Sequence, residues 1–326
     1  MPIFIPGALP PAPVAPELAK RLPDLAPTLL DCFERYRAQT RAMDPHALGC
    51  TPAEAWQLER AGFAPQAGQR LGAGLGPLRA QARPPSPAAA PPQAGAGAAG
   101  QGHADAPVWL ADLVHLAIGT DRARLADPCA MRLSPQEDQA LFEAARPWLD
   151  DSPFRAEPLA PGRWRMALPE GMAPPSASPA AVAADAVHDW WPQDAAMRPW
   201  RRLLNAVQMA WHEHPVNQAR EARGELPVNG LWLYGGARPW PLAPLHDPVL
   251  AQLEAPHRAG DWAAWLDALA QVEAALRGQH PPGPDQPLVL SGAGRIVQLT
   301  PVHGPALLRW LPRRKQNWNR WWSLPD

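Results

Sequence analysis

Lysine is almost missing from this chain: of its 30 basic residues only Lys20 and Lys315 are lysines, and the rest are arginine. With the abundance of alanine and proline, that bias is compositional and does not by itself indicate phosphate chemistry. A charge excess is missing as well. The formal net charge is −1 over 326 residues, whereas a general nucleic-acid binder carries a basic excess, so nucleic acid is not an expected partner. Cysteine is scarce: Cys32, Cys50 and Cys129 stand far apart, with no C-x-x-C pair and no even framework. That argues against a zinc ribbon or a disulfide scaffold and fits a reduced, cytoplasmic setting. Long apolar runs are lacking too. None approaches the roughly 20 residues of a membrane-spanning helix, and the opening MPIFIPGALPP has no basic segment of the kind that starts a signal peptide. The expectation is a soluble protein without a membrane partner.

What is plentiful is proline, with 45 residues, and tryptophan, with 16. Proline interrupts helices and strands, so short elements and long loops are expected, with the tryptophans as core and loop anchors. The length suffices for a large core in one or two domains. The fold class expected is α/β or α+β: a mixed sheet of short strands with packed helices, interrupted by long, disordered Pro/Ala/Gly-rich loops. The chain divides into an N-terminal block at 1–82 and a low-complexity linker at 83–106 that lacks the large apolar side chains needed to offset the entropy of ordering. A strand–strand–helix–strand block follows at 107–170, then a loop at 171–185. A block at 186–300 completes the same core, and a Trp/Arg-rich tail closes the chain at 301–326.

Within these blocks, Ile3-Phe4-Ile5 before Pro6-Gly7 predicts a strand and a turn. Leu29 to Met43 has helical spacing. Thr51-Pro52-Ala53-Glu54 and Ser134-Pro135-Gln136-Glu137 each read as a capping box opening a helix, the second with Leu141, Ala145 and Trp148 on its apolar side. Leu71 to Gly76 contains G-x-G-x-G but lacks the strand before and helix after that a phosphate-cradling loop needs, so it reads as a flexible loop. Val114–Ile118 and Arg122–Leu125 predict a hairpin turning at Gly119-Thr120-Asp121, and 163–168 alternates as a half-buried strand. Trp200, Leu203, Leu204, Val207, Trp211 and His214 share one helical stripe, while Asn205, Gln208 and His212 share another face. Pro215 forces a break at His214, with a second helix to Arg223 stopped by Gly224. Leu231–Tyr234 is a buried strand, 261–276 a helix capped by Asp261, and 288–290 with 295–299 a hairpin. In the tail, Trp310, Trp318, Trp321 and Trp322 interleave with Arg309, Arg313, Arg314, Lys315 and Arg320. Such interleaving can bind single-stranded nucleic acid or a membrane surface; the favoured expectation is that the tryptophans cover an edge of the fold, with a surface for a protein partner as a further reading.

The stretch from His212 reads H-x-H-P-V-N-x-x-R-x-x-x-G-x-x-P-V-N and runs into L-W-L-Y-G-G. It resembles a segment of the archaeal-type, cofactor-independent phosphoglycerate mutases, on His214, Pro215, Asn217, Arg220, Gly224, Pro227, Asn229 and Gly235. The chain as a whole, from IPGALPP through CTPAEAWQLERAGF to L-W-L-Y-G-G, resembles the RpfE-type bacterial regulatory proteins. The mutase resemblance implies a serine nucleophile and two metal ions held by aspartate and histidine. Here the opening strand ends without a carboxylate, and no D-x-x-x-D-H cluster follows. The expectation is therefore a regulatory or ligand-binding protein, non-catalytic, without cofactor or metal, that senses a small anionic metabolite. A phosphoryl-transfer enzyme is the alternative. Candidate ligand-binding residues are Asn205, Gln208, His212, His214, Asn217, Arg220 and Asn229. Two roles are open to the central ones. Asn217 and Arg220, near a helix start, can hold an anion, or Asn217 and Asn229 tie loops to backbone while Arg220 pairs with a carboxylate such as Glu213. His214 is placed to cap the second helix, and His212 to join Asn205 and Gln208 in a polar network. At i, i+2 the two histidines point apart on a helix and do not share a metal.

Overall fold

The computed structural model describes residues 1–81, 106–118, 123–183, 187, 190, 194–278, 283, 285–302 and 317–323. The expected linker at 83–106 lies outside them except for Ala106, as do the turn at 119–121 and the tail residues Arg309, Trp310, Arg313, Arg314 and Lys315. The fold is a mixed α/β one, in two compact units. Residues Met1–Pro45, Thr51–Trp56 and Pro244–Asp326 form the first, and His46–Cys50 with Gln57–Ala243 the second.

In chain order the strands are β1 (Ile3–Ile5), β2 (Tyr36–Ala42), β3 (Val108–Val114), β4 (Leu116–Ile118) and β5 (Ala123–Leu125). They continue with β6 (Arg155–Ala160), β7 (Arg163–Ala167), β8 (Gly230–Ala237), β9 (Leu288–Ser291) and β10 (Arg295–Pro301). The helices are α1 (Ala15–Ala19), α2 (Leu22–Leu25), α3 (Pro27–Arg35), α4 (Pro45–Leu48), α5 (Pro52–Arg60) and α6 (Leu75–Gln81). After them come α7 (Pro135–Asp150), α8 (Pro179–Val182), α9 (Arg198–His212), α10 (Pro215–Ala222), α11 (Glu254–Ala259), α12 (Trp262–Gly278) and α13 (Asn319–Trp322). Among the described residues, no helix is long and apolar enough to cross a membrane.

The first unit is built on a sheet of order β1-β9-β10-β2, with β1 parallel to β9 and the other pairs antiparallel. The hairpin β9–β10 forms as expected from the sequence. Alternate residues Ile3, Ile5, Leu288, Leu290, Val297 and Leu299 face a core completed by Leu22, Leu29 and Phe33 and by Trp265, Leu269 and Val272 of α12. The tail helix α13 belongs to that core: Trp321 meets the ring of Phe33 edge-on at 5.1 Å, and Trp322 is fully buried. The helix expected to run to Met43 stops at Arg35, and 36–42 is a strand. The period-two alternation of Tyr36, Ala38 and Thr40 with Arg37, Gln39 and Arg41 decides it. Pairing with β10 over seven residues outweighs helix propensities that differ by only a few tenths of a kcal/mol per residue.

The start of α3 shows how this chain satisfies its backbone. Ala26 stands at the cap position and has no capping side chain. Glu273 of α12 supplies one instead, accepting from the Thr28 N–H at 3.0 and 3.1 Å and from the Leu29 N–H at 3.3 Å. Arg277 holds the same carboxylate at 2.7 Å.

The second unit carries an antiparallel sheet of order β6-β7-β3-β8. One face, with Trp109, Ala111, Leu113, Trp164, Met166 and Leu231, packs against α7 and α9. Helix α7 opens with the expected capping box: the Ser134 N–H donates to Glu137 at 2.8 Å, and Ser134 Oγ accepts from the Glu137 N–H at 3.2 Å. Its buried side is Leu141, Phe142, Ala145 and Leu149, and Trp148 is 45% exposed, so the stripe is turned one residue from the one expected. On α9 the stripe from Trp200 to Trp211 is buried as read. The expected hairpin forms as β4 paired with β5, its first strand starting at Leu116, and the preceding strand β3, ending at Val114, has no counterpart in the sequence reading. Strand β6 has no counterpart in the sequence reading. Residues 171–183 are irregular apart from the single helical turn of α8.

The Gly-rich stretch overturns its expectation. Leu71–Gly74 is a 3-10 turn leading into α6, and residues from Leu71 to Leu78 are buried. A side chain on Gly72 would strike the Gly49 carbonyl, and one on Gly76 would strike that of Val108. These glycines let backbones meet; they do not make a loop flexible.

Replacing Glu273 with Ala leaves two N–H groups at the start of α3 without an acceptor. Urea unfolding of the variant is expected to show a loss of about 1–3 kcal/mol, and Glu273→Gln, which keeps one acceptor oxygen, a smaller loss. An unchanged midpoint for Glu273→Ala would show that water serves the helix start equally well.

Candidate functional site

The α9–α10–β8 segment is where the sequence concentrated its candidates, and the break falls as Pro215 requires. The His214 Nδ1 accepts from the Val216 N–H at 3.2 Å, capping α10. Burial holds its pKa below the usual value, in keeping with a neutral, accepting ring.

Asn217 is 3% exposed. Its amide donates to the carbonyls of Trp211 and Val228, both at 2.8 Å, and its oxygen accepts from the Val228 N–H at 2.8 Å. It thus joins the end of α9 to the approach to β8. Asn229 does the same for β4, accepting from the Leu116 N–H at 2.6 Å and donating to the Leu116 carbonyl at 3.0 Å. Arg220 is 1% exposed. Its Nε donates to Leu226 O at 2.8 Å and its Nη1 to Arg132 O at 3.0 Å. Glu137 and Glu225 lie 3.5 and 3.4 Å from Nη1, so the carboxylates beside Arg220 are these and not Glu213. Burial alone would raise the Glu137 pKa, but the Ser134 hydrogen bonds and the Arg223 and Arg220 charges bring it below the usual range. Asn205 and His212 are exposed on the outer face of α9, Gln208 is half-buried there, and no hydrogen bond joins the three.

Two groups of charged residues on the sheet of this unit were not singled out from sequence. Asp112 is the one acid in the otherwise apolar strand β3 and is 7% exposed. Arg163 grips it through two bonds, Nε to Oδ1 at 2.7 Å and Nη2 to Oδ2 at 2.8 Å, and the Tyr234 hydroxyl donates to Oδ1 at 2.9 Å. Burial pushes the Tyr234 hydroxyl well above its usual pKa. The guanidinium of Arg79 lies over the Tyr234 ring at 5.1 Å. A lone acid inside the run VWLADLV was the signal available for this network.

The second group lines a groove of about 820 Å³ at the β6–β7 end of the sheet. Glu157 pairs in register with Arg165 and Arg155 with Ala167, so Arg155, Glu157 and Arg165 share a face. Leu168 and Met172, partly buried, give the groove an apolar wall over the buried Trp109 and Met166 of the core face, and Glu170 stands at its edge. Arg155 is fixed by its Nη1 on the Ser152 and Phe154 carbonyls at 3.0 and 2.8 Å. Arg165 is half-buried, and its guanidinium makes no hydrogen bond or ion pair among the described residues. Among those residues no group of three or more His, Cys, Asp or Glu is placed to hold a metal ion.

No protein-family model and no curated protein sequence matches the chain. Among solved structures it is similar to a cofactor-independent phosphoglycerate mutase from Thermoplasma acidophilum, at 13% identity and a TM-score of 0.33, over 93% of this chain and 90% of that one.

The His214 cap sets a pH dependence. A folded-state pKa below the unfolded value of roughly 6.5 means that the unfolded chain takes up the proton first as pH falls. The cap's contribution is therefore complete above that value and is lost below it. Thermal midpoints measured from pH 7.5 to 5 are expected to fall, and His214→Asn, which caps without titrating, to fall less. Parallel curves for the two proteins would remove His214 from the effect.

Proposed function

We propose that this chain is a non-catalytic ligand-binding protein of regulatory type that takes a small amphipathic anion, a phosphorylated or carboxylic acid, in the β6–β7 groove. The observation that carries the reading is Arg165. A half-buried guanidinium without a partner is an incomplete arrangement, because partial desolvation is offset only when an acceptor supplies what water gave. A carboxylate or phosphate accepting from Arg165, with the free Nη2 of Arg155 in reach, completes it through charge-assisted bonds. Leu168 and Met172 then take the apolar part of the ligand, and Glu157 and Glu170 accept from its hydroxyl or amino groups. This moves the proposed ligand contact away from Asn217, Arg220 and Asn229, whose polar atoms are engaged by backbone and by Glu137 and Glu225. The regulatory half of the proposal rests on the RpfE-type resemblance of the segments quoted above alone, since no family model or curated sequence matches the chain.

The test is thermal unfolding with 3-phosphoglycerate and related phosphorylated acids, with and without Mg²⁺ or Mn²⁺. A ligand at 100 times its Kd stabilises the folded form by about 2.7 kcal/mol. The expected result is a metal-independent rise in midpoint that disappears in Arg165→Ala. Arg220→Ala is expected to lose on the order of 2–3 kcal/mol of stability without ligand and still to respond to it. A rise that requires metal would favour the phosphoryl-transfer alternative, and no rise with any acid would end the anion-binding reading.

A further inference from the structure

The outer strand of the first unit is long, exposed and basic. Among the described residues strand β2 closes the sheet on one side, with β10 as its neighbour, and Arg37, Gln39, Thr40, Arg41 and Ala42 are exposed. The hydrogen-bond phase of the ladder is fixed at two points. The Met43 N–H donates to Gly294 O at 2.8 Å, and the Gly292 N–H to Arg295 O at 2.9 Å on the β9 side. Antiparallel ladders alternate bonded and non-bonded pairs. Arg37, Gln39 and Arg41, in register with Thr300, Gln298 and Ile296, therefore spend their backbone groups on β10. The N–H and C=O groups of Ala38, Thr40 and Ala42 point away from the sheet. Above this edge, Arg37 and Arg41 stand four residues apart on one face with Gln39 between them, and Arg41 Nη2 also contacts Met43 Sδ at 3.6 Å.

We propose that β2 is a docking edge for an extended peptide segment of a partner protein, added as a fifth strand, with acidic residues four apart facing Arg37 and Arg41. The backbone of the segment takes up the outward groups of Ala38, Thr40 and Ala42, and its charges set register and choice of partner. A second copy of this chain is the poorer occupant. Antiparallel pairing of two β2 strands about Gln39 would set Arg37 opposite Arg41 twice, and like charges directly opposite repel.

The test is fluorescence anisotropy on the full chain, using a labelled seven-residue Thr/Val peptide with Glu at its second and sixth positions and the same peptide with Lys at both. Expected is saturable binding of the Glu peptide at least tenfold tighter than the Lys peptide, with the preference reversed when Arg37→Glu and Arg41→Glu are combined. Thr40→Pro, which removes an outward N–H and spares the bonds to β10, is expected to weaken the Glu peptide at least tenfold. Amide exchange should slow at Ala38, Thr40 and Ala42 in the complex. Equal binding of both peptides, binding of neither, or binding that survives the charge reversal overturns the proposal.

Discussion

The constraint on which both units depend is that buried backbone groups must be hydrogen-bonded in a chain whose prolines keep interrupting the elements that would bond them. Side chains take over that work. Among the described residues, tryptophan indoles donate to backbone carbonyls: Trp211 to Leu141, Trp232 to Ala177, Trp240 to Ala61, Trp265 to Gly7 and Trp322 to Ala8, at 2.8 to 3.0 Å. Each pins an irregular segment or a helix within its own unit while the ring fills the core. This accounts for the unusual tryptophan content physically: a large apolar body with one donor suits a fold in which loops pass close to the core.

The same constraint explains why the conspicuous polar motif is so fully engaged. Asn217 and Asn229 each present a donor and an acceptor to one stretch of backbone, which is how an amide substitutes for a missing ladder partner. Arg220 gathers carbonyls at the end of α10 and the approach to α7. Density of polar residues in the sequence marked where the backbone needs help. Arg165 differs because strand pairing alone places it, and its guanidinium bonds none of the described residues.

Elements set by local chemistry were legible in the sequence: both capping boxes, the Pro215 break with its His214 cap, the β9–β10 hairpin and the buried stripe of α9. Those set by distant pairing were not. The helix reading of 29–43 fails at Tyr36 because the competitor, β10, lies some 260 residues later. Strand β3 was missed because a strand buried on both faces reads as a continuous apolar run without the alternation that marks an exposed sheet. For the same reason Asp112 gave no sign of its partners on β7 and β8. The groove at Arg165 depends on the register of β6, whose Pro158 and exposed residues carry little strand signal.

An exposed edge strand is a liability that natural sheets blunt with charge, proline or cover. The described residues of β2 contain no proline, so its protection rests on Arg37 and Arg41. Charge of one sign discourages self-pairing but does not discourage pairing in general, since it lowers the cost of approach for an acidic strand by the same Coulomb term that raises it for a second copy. Lysine would serve solubility as well. Arginine adds a planar fork suited to carboxylates, although in a chain this poor in lysine its choice here is not by itself a signal. What distinguishes β2 is position: two like charges at a four-residue spacing, on one face, beside a row of outward backbone groups whose phase the ladder determines. An edge protected in this way is selective by construction, because the device that excludes copies of the chain is the one that admits a complementary segment.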